Sequence, residues 1–401
     1  MYTRRVSLRG VLKAGRGAVV AATRAKRHFV LIILLLACLP LMAAILPEDR
    51  FDALYHYYGG GGVDISGPSL LFRKQVAAPL SMSAHYYVDT ISSASIDVVT
   101  QASPYNEERT EYGLNVDYLN GKNLLSMGYT TSSENDYVAN TVSVGISQDF
   151  FGDLTNVSLG FARGSDTVSR STDNVFERAV ERRNYRFGLS QILTKNMTVT
   201  FAFDLTSDEG FLNNPYRSYR YSTVAGDGSV SESWSPEVYP GTRTSNALGL
   251  RGLYYLPYRA AIGAEVRQFS DTWGIKAQNW QVFYRHPTDN GWLFEVRYRQ
   301  YSQNRADFYS DLFDVQNAQN YMARDKELST YESQTFGVTA SYGFNFSGIQ
   351  WIDRGSINLS WDHLRFDYAD FRNADVSSDV GNEPLYGFSA NVIQVYISVW
   401  Y

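Results

Sequence analysis

Charged side chains in this 401-residue sequence recur at alternate positions within otherwise apolar stretches. That spacing is where any chemistry must reside. In WLFEVRYRQY, Trp292 to Tyr301, an extended backbone puts Glu295, Arg297 and Arg299 on one face and Trp292, Phe294, Val296 and Tyr298 on the other. Reading other stretches in the same way gives Asp117, Arg163, Arg186, Asp204, Arg251, Glu265, Arg267, Arg285 and Asp362. Placed toward lipid, each charge would cost about 2–4 kcal/mol at mid-membrane, so the whole set is assigned to the inside of a barrel. There it serves either as a mixed-sign lining that steers small polar or charged solutes or as a ladder of ion pairs that stiffens the wall.

Conventional catalytic and metal constellations are weak by comparison. Asp362 and His363 are adjacent, but neighbours on a strand point to opposite faces and cannot cooperate. His85 and His363 have serines nearby, without a motif that selects a nucleophile. No closely spaced His/Cys cluster suggests a metal. DFYSDLFDVQN, Asp307 to Asn317, offers Asp307, Asp311 and Asp314 but lacks the glycine turn of a calcium loop, so it reads as a solvated acidic loop. No phosphate-binding or dinucleotide-binding loop is present. The expectation is a protein that is not an enzyme and holds neither cofactor nor metal.

The elements that must position these charges repeat one unit, about ten alternating residues and a turn. In MTVTFAFDLT, Val199, Phe201, Phe203 and Leu205 oppose Thr198, Thr200, Ala202 and Asp204. Alternation alone also fits a soluble sandwich. The second face, however, is rich in Gly, Ala and Ser as well as polar, which suits a confined wet interior. About fourteen such strands are expected, near 78–90, 110–119, 124–133, 137–149, 155–165, 182–193, 197–206, 243–255, 260–272, 275–286, 292–302, 331–345, 356–367 and 386–401. Tight connections such as NGKN at 120–123 and TKN at 194–196 alternate with long ones at about 91–109, 166–181, 207–242, 303–330 and 368–385. The fold class is therefore all-β, a closed antiparallel transmembrane barrel of about 14 strands over residues 78–401. Aromatics at 15%, with 30 Tyr and 22 Phe, and a mean hydropathy of −0.28 agree with strands and exclude a bundle of transmembrane helices. In strand 356–367 the apolar face switches after Trp361 to Leu364 and Phe366, which predicts a bulge or the membrane rim and makes Asp362 the least secure lumen residue.

Residues 1–44 carry eight of the 36 Lys and Arg and none of the 41 Asp and Glu. A basic start, the apolar run FVLIILLLACLPLMAAIL and small residues at Ala43 and Ala44 predict a cleaved secretory signal. The remainder then holds 28 basic against 41 acidic residues, a net charge of −13, which excludes nucleic acid as partner. It also loses the single cysteine, Cys38. Residues 45–77 include four consecutive glycines, Gly59 to Gly62, and read as a periplasmic linker or a plug inserted in the lumen. At the other end, ANVIQVYISVWY places Ile393, Val395, Ile397, Val399 and Tyr401 on one face. This predicts a closing strand whose edge is paired with the first strand, and it is similar to the C-terminal signal read by the barrel-insertion machinery.

The stretches GGGGVDISGPSLLFRK (59–74) and AHYYVDTISSASIDVVTQASPYNEERTE (84–111) resemble a family of proteobacterial outer-membrane proteins defined by a conserved region of unknown function. The resemblance implies a barrel in outer-membrane lipid. It also implies relatives encoded beside a small lipoprotein and a flavin-transferring protein, hence a small lipoprotein or an exported redox protein as partner. Three functions follow as expectations: foremost, an outer-membrane channel or transporter for small polar or charged solutes. The second is a non-conducting scaffold or sleeve for an extracytoplasmic partner, and the weakest is a barrel hydrolase.

Overall fold

The computed structural model describes residues 45–93, 105–224, 226–346, 351–377 and 379–401; the expected signal segment lies outside them. Eighteen strands form: β1 Arg50–Gly60, β2 Val63–Ala77, β3 Leu80–Ser93, β4 Tyr105–Asn120, β5 Asn123–Ser133 and β6 Tyr137–Phe150. They continue as β7 Thr155–Arg170, β8 Asp173–Thr194, β9 Met197–Gly210, β10 Ser218–Val224, β11 Val230–Pro236 and β12 Thr242–Tyr255. The last six are β13 Ala261–Asp271, β14 Lys276–Pro287, β15 Trp292–Gln303, β16 Tyr331–Asn345, β17 Arg354–Arg372 and β18 Leu385–Trp400. All but β10 and β11 close into one antiparallel barrel, and those two form a separate hairpin in the connection between β9 and β12.

The barrel thus has sixteen strands. Each of the fourteen expected strands is present, and both additions lie in the segment expected to be a linker or plug. Residues 50–60 and 63–77 are instead β1 and β2, joined at Gly61 and Gly62 with φ of 61° and 77°. Two consecutive positive φ values are what a two-residue hairpin turn demands, so the glycine run is a turn. Phe51, Ala53, Tyr55 and Tyr57 do alternate outward, but the inward face also carries Leu54 and Tyr58, so no polar contrast exposes the strand. The closing strand is correctly expected, although its partner is β1 and not a strand near residue 78: Arg50 to Gly60 pair with Trp400 to Ala390. Closure leaves no free edge, and every ladder bond is made within the barrel.

The outer surface is apolar. Leu114, Met127, Val142, Leu159, Leu250 and Ile262 are each 49–63% exposed, an arrangement that water disfavours and acyl chains accept. The tight turns at 121–122 and 195–196 and both ends of the ring lie on one rim; the connections β9–β12, β15–β16 and β17–β18 emerge at the other, together with the two-residue β1–β2 and β7–β8 turns. No bulge occurs at Trp361. The β17–β18 register is continuous from Arg354 to Asp367, so Leu364 and Phe366 face inward with Asp362. Phe366 does so because part of its ring packs against the protein that closes this end of the lumen. The long connections fold over the barrel as a cap, and its apolar core of Tyr239, Phe308, Tyr309, Ala323 and Leu328 packs on Tyr368 and Phe371 of β17 and on Trp273 in the β13–β14 turn. The expected long loop at 166–181 is likewise corrected: β7 and β8 extend through it to a two-residue turn.

Candidate functional site

Eleven of the twelve charges assigned to the lumen face inward. Arg163 does not. It follows Val157, Leu159 and Phe161 along the outer face of β7, and it bonds outside to Glu181 at 2.9 Å. From Arg163 upward the outer face of the β7–β8 pair is polar, with Arg183 opposite Arg163 and Glu181 opposite Ser165.

The inward charges form two clusters. In the first, Arg297 is the hub. Its Nη1 lies 3.2 Å from Glu295, its Nε and Nη2 meet Asp362 at 2.9 and 2.5 Å, and it also donates to Thr339 and Ser360. Arg285 takes the other oxygen of Glu295. Arg297 reaches from β15 past β16 to β17, which requires Gly337 beneath it: a Cβ there would lie 2.5 Å from Arg297 Nε and 2.1 Å from Asp362. This cluster is the ion-pair ladder, two arginines balanced by two carboxylates. In the second, one carboxylate serves two cations, with Asp204 lying 3.5 Å from Arg186 and 3.3 Å from Arg267. Arg251 and Arg285 flank the Phe283 ring at 5.0 Å each, and Arg251 stands beside Glu265 in register. Arg299 has no carboxylate partner among the described residues and faces the lumen. Asp117, on the far wall, accepts from Ser126 at 2.6 Å. The β12–β15 wall therefore holds surplus positive charge.

The opposite wall carries groups absent from the sequence-based set. Glu107, Glu134 and Asp136, at the upper ends of β4 and β5 and in the connection to β6, have carboxylate oxygens within 4.8 Å of one another. Among the described residues, only Arg109 comes within ion-pair distance of them, at 3.7 Å from Glu134. Burial first, then the neighbouring Asp136 against the opposing pull of Arg109, holds the Glu134 carboxyl above its ordinary range. Extending the strand expected at 110–119 upward by two steps of its own alternation reaches Arg109 and Glu107. A further inward network joins β1 to β3: His56 Nε2 meets Asp89 at 2.7 Å, Tyr87 donates to Asp89 at 2.8 Å, and the His56 and Tyr87 rings stack. His56 crosses β2 at Gly67, its register partner, where a Cβ would lie 1.8 Å from the Val88 carbonyl oxygen. Of the other histidines, His85 meets Glu111 at 3.2 Å, and His363 faces outward beside Asn391. Among the described residues, no histidine is hydrogen-bonded to a serine side chain.

Beneath the cap, a lumenal cavity of about 1010 Å³ is bounded by both walls. Arg267 and Arg299 line one side, Glu134 and Asp136 another, and Tyr58, Tyr301, Tyr331, Phe366 and Phe388 a third. The cap above is locked by Arg220 on β10. This fully buried guanidinium contacts Glu232 at 3.0 Å, Asp311 at 2.5 Å and Glu383 at 2.5 Å, tying three connections together. Burial, the largest single influence, raises the Glu383 carboxyl, but the hydrogen bond and charge of Arg220 and the backbone N–H donors together hold the group below its ordinary value. Arg324 stacks on Phe371 at 4.4 Å and also binds Asp311. Asp311 is thus engaged by arginines and does not converge with Asp307 and Asp314 as a cation loop. Glu237 is 4% exposed; burial, then the nearby Asp325 carboxylate, pushes it up to about 7.

A model of the family described as "Protein of unknown function (DUF3570)" matches residues 64–354, well over half of the sequence. The chain belongs to the DUF3570 family. No curated protein sequence matches it. Among solved structures, CdiB from Acinetobacter baumannii is 10% identical at a TM-score of 0.46, over 88% of this chain; the chain spans 60% of CdiB's length. The outer membrane protein OpdK from Pseudomonas aeruginosa is 12% identical at 0.42, over 89% of this chain and 100% of that one. A loop-deletion mutant of OmpT from Vibrio cholerae is 9% identical at 0.40, over 88% and 99%. These are likenesses of barrel architecture only. DUF3570 here denotes a sixteen-strand barrel of the outer-membrane type, with a charged lumen and a folded cap.

Proposed function

We propose that this DUF3570 barrel resides in the outer membrane of a Gram-negative bacterium and passes small polar or charged solutes through its lumen. The observation that carries the reading is the asymmetry of the inner wall. If the charges served only to stiffen the barrel, each would be neutralised locally, as Arg285, Glu295, Arg297 and Asp362 are. Instead Arg186 and Arg267 share one carboxylate, Arg299 has none, and three carboxylates converge on the facing wall. Such a separation places a field across a water-filled path, where it acts on solutes. The His56–Asp89–Tyr87 network is a strut between β1 and β3 in this reading, without a nucleophile to activate.

Planar-bilayer recording of the purified protein tests the proposal. Steady ohmic current, with a reversal potential that departs from zero in a salt gradient, supports it. Electrical silence with the barrel demonstrably folded overturns it and favours a sleeve for an exported lipoprotein or redox partner.

A further inference from the structure

The cavity beneath the cap has three chemically distinct sides, and a solute that satisfies all of them is narrowly defined. Positive charge is supplied by Arg299 on β15, without a carboxylate partner among the described residues, and by Arg267 on β13, which shares Asp204 with Arg186. Negative charge is supplied by Asp136 and Glu134 in the β5–β6 connection. In the ring order, β5 and β6 stand five to eight strands from β13 and β15, across the lumen. The two charged sides are therefore separated by the cavity's width, too far apart to neutralise one another in contact. Between them, along β1 and β15–β18, runs a wall of aromatic rings including Tyr58, Phe366 and Phe388, with Phe366 and Phe388 stacked at 4.6 Å. At about 1010 Å³, the space lies at the upper end of what a compact ligand fills.

We propose that this cavity is a binding site for a short peptide with free termini and an aromatic side chain. The C-terminal carboxylate lies toward Arg267 and Arg299, where a guanidinium presents two parallel donors. The ammonium lies toward Asp136 and Glu134, where it relieves the repulsion among three crowded carboxylates. The aromatic side chain stacks on the Phe366–Phe388 side. An anion alone meets a repulsive acidic face, and a free amino acid has its charges too close together to reach both walls. This site rests on the channel reading for its access route but not for its existence, because binding is measured at equilibrium and needs no current.

The test is calorimetric titration of the full chain in detergent or nanodiscs, with a chelator present so that no divalent cation occupies the acidic face. Four probes are compared: Ala-Phe-Ala, its N-acetyl form, its C-terminal amide, and Ala-Ala-Ala. The expected result is that Ala-Phe-Ala binds at least fivefold more tightly than each of the other three. Two variants assign the ends. Asp136→Asn is expected to weaken Ala-Phe-Ala at least fivefold without weakening the acetylated form. Arg299→Gln is expected to weaken Ala-Phe-Ala without weakening the amide. Equal affinity for all four probes overturns the proposal, as does the absence of saturable binding, or variant losses that ignore the matching peptide end. Should a variant fail to fold, the probe series on the unaltered chain decides alone. Current without selective peptide binding sinks this site and leaves the channel; peptide binding without current does the reverse.

Discussion

Replacing Arg220 by Met is the sharpest probe of the cap, because one guanidinium joins three connections that are distant in sequence. Its side chain is fully buried, and its partners Glu383 and Asp311 are 1% and 10% exposed. Removing the cation while leaving both carboxylates in place costs about 3–5 kcal/mol, as for other buried pairs broken from one side. At about 1.4 kcal/mol per tenfold, the population of opened cap rises by roughly two to three and a half decades. The barrel is expected to survive, since its sixteen strands pair with one another and the hairpin β10–β11 lies outside the ring. Limited proteolysis reads the difference: cleavage in the connections 211–241, 304–329 and 373–384 should accelerate at least a hundredfold in R220M, while the far-ultraviolet strand signal stays unchanged. R220K keeps the charge but loses the two-pronged geometry, and it should fall between. An R220M cap that resists protease as well as the parent would refute the view that this network holds it.

Three further outcomes follow from the same structure. Glu237 is raised in the folded cap, so its contribution is fully present below the ordinary glutamate value near 4.5 and is lost as pH rises through about 7. The facing groups are Asp325, Arg217, Tyr239 and the Arg324 backbone N–H, so the loss amounts to roughly 3 kcal/mol from burial and Asp325 together. Protease sensitivity of the cap should climb between pH 4.5 and 7 and become flat in E237Q; a parent cap equally resistant across that range contradicts this. Arg297→Gln leaves Asp362 uncompensated at the lumen wall and Glu295 with Arg285 alone, so the reversal potential should move toward cation selectivity, by roughly twofold to fivefold in permeability ratio within a Debye length of the path. Arg163→Gln, on the outer face, should leave selectivity unchanged, and an equal shift in both variants would mean the faces are misassigned. Gly67→Ala puts a Cβ 1.8 Å from the Val88 carbonyl oxygen, and backbone cannot yield as a side chain does. The seam β1–β3 should lose about 1–3 kcal/mol, seen as a lower temperature for the heat-induced gel shift.

Fourteen strands were legible because their two faces differ in polarity, and alternation is a local signal. β1 and β2 escaped it for a specific reason: Leu54, Tyr58, Ile65 and Leu71 are apolar yet face inward, so the contrast vanishes although the backbone is extended. The pairing of Arg297 with Asp362 was half-visible, since parity placed both on the inner face. Their contact depends on Gly337 in the intervening strand, which only the register reveals. Arg163 was misplaced because the cost of a charge in lipid was applied without regard to height along the strand. The cap was illegible for a deeper reason. Arg220 and Glu383 are 163 residues apart, and the segments that carry them have no period, so nothing short of the folded chain brings them together. The acidic face lay just beyond the strand boundaries where the alternation was read.

The central claim is the assignment of faces, and alternate cysteine labelling on β15 tests it most directly. Cys38 is the single native cysteine, so a Cys38→Ser background carries one new thiol at a time. In proteoliposomes, a charged water-soluble thiol reagent should modify Cys at positions 295, 297 and 299 and spare positions 294, 296 and 298. A lipid-soluble maleimide should give the opposite pattern. Uniform labelling along the strand, or labelling with the parity reversed, would contradict the account.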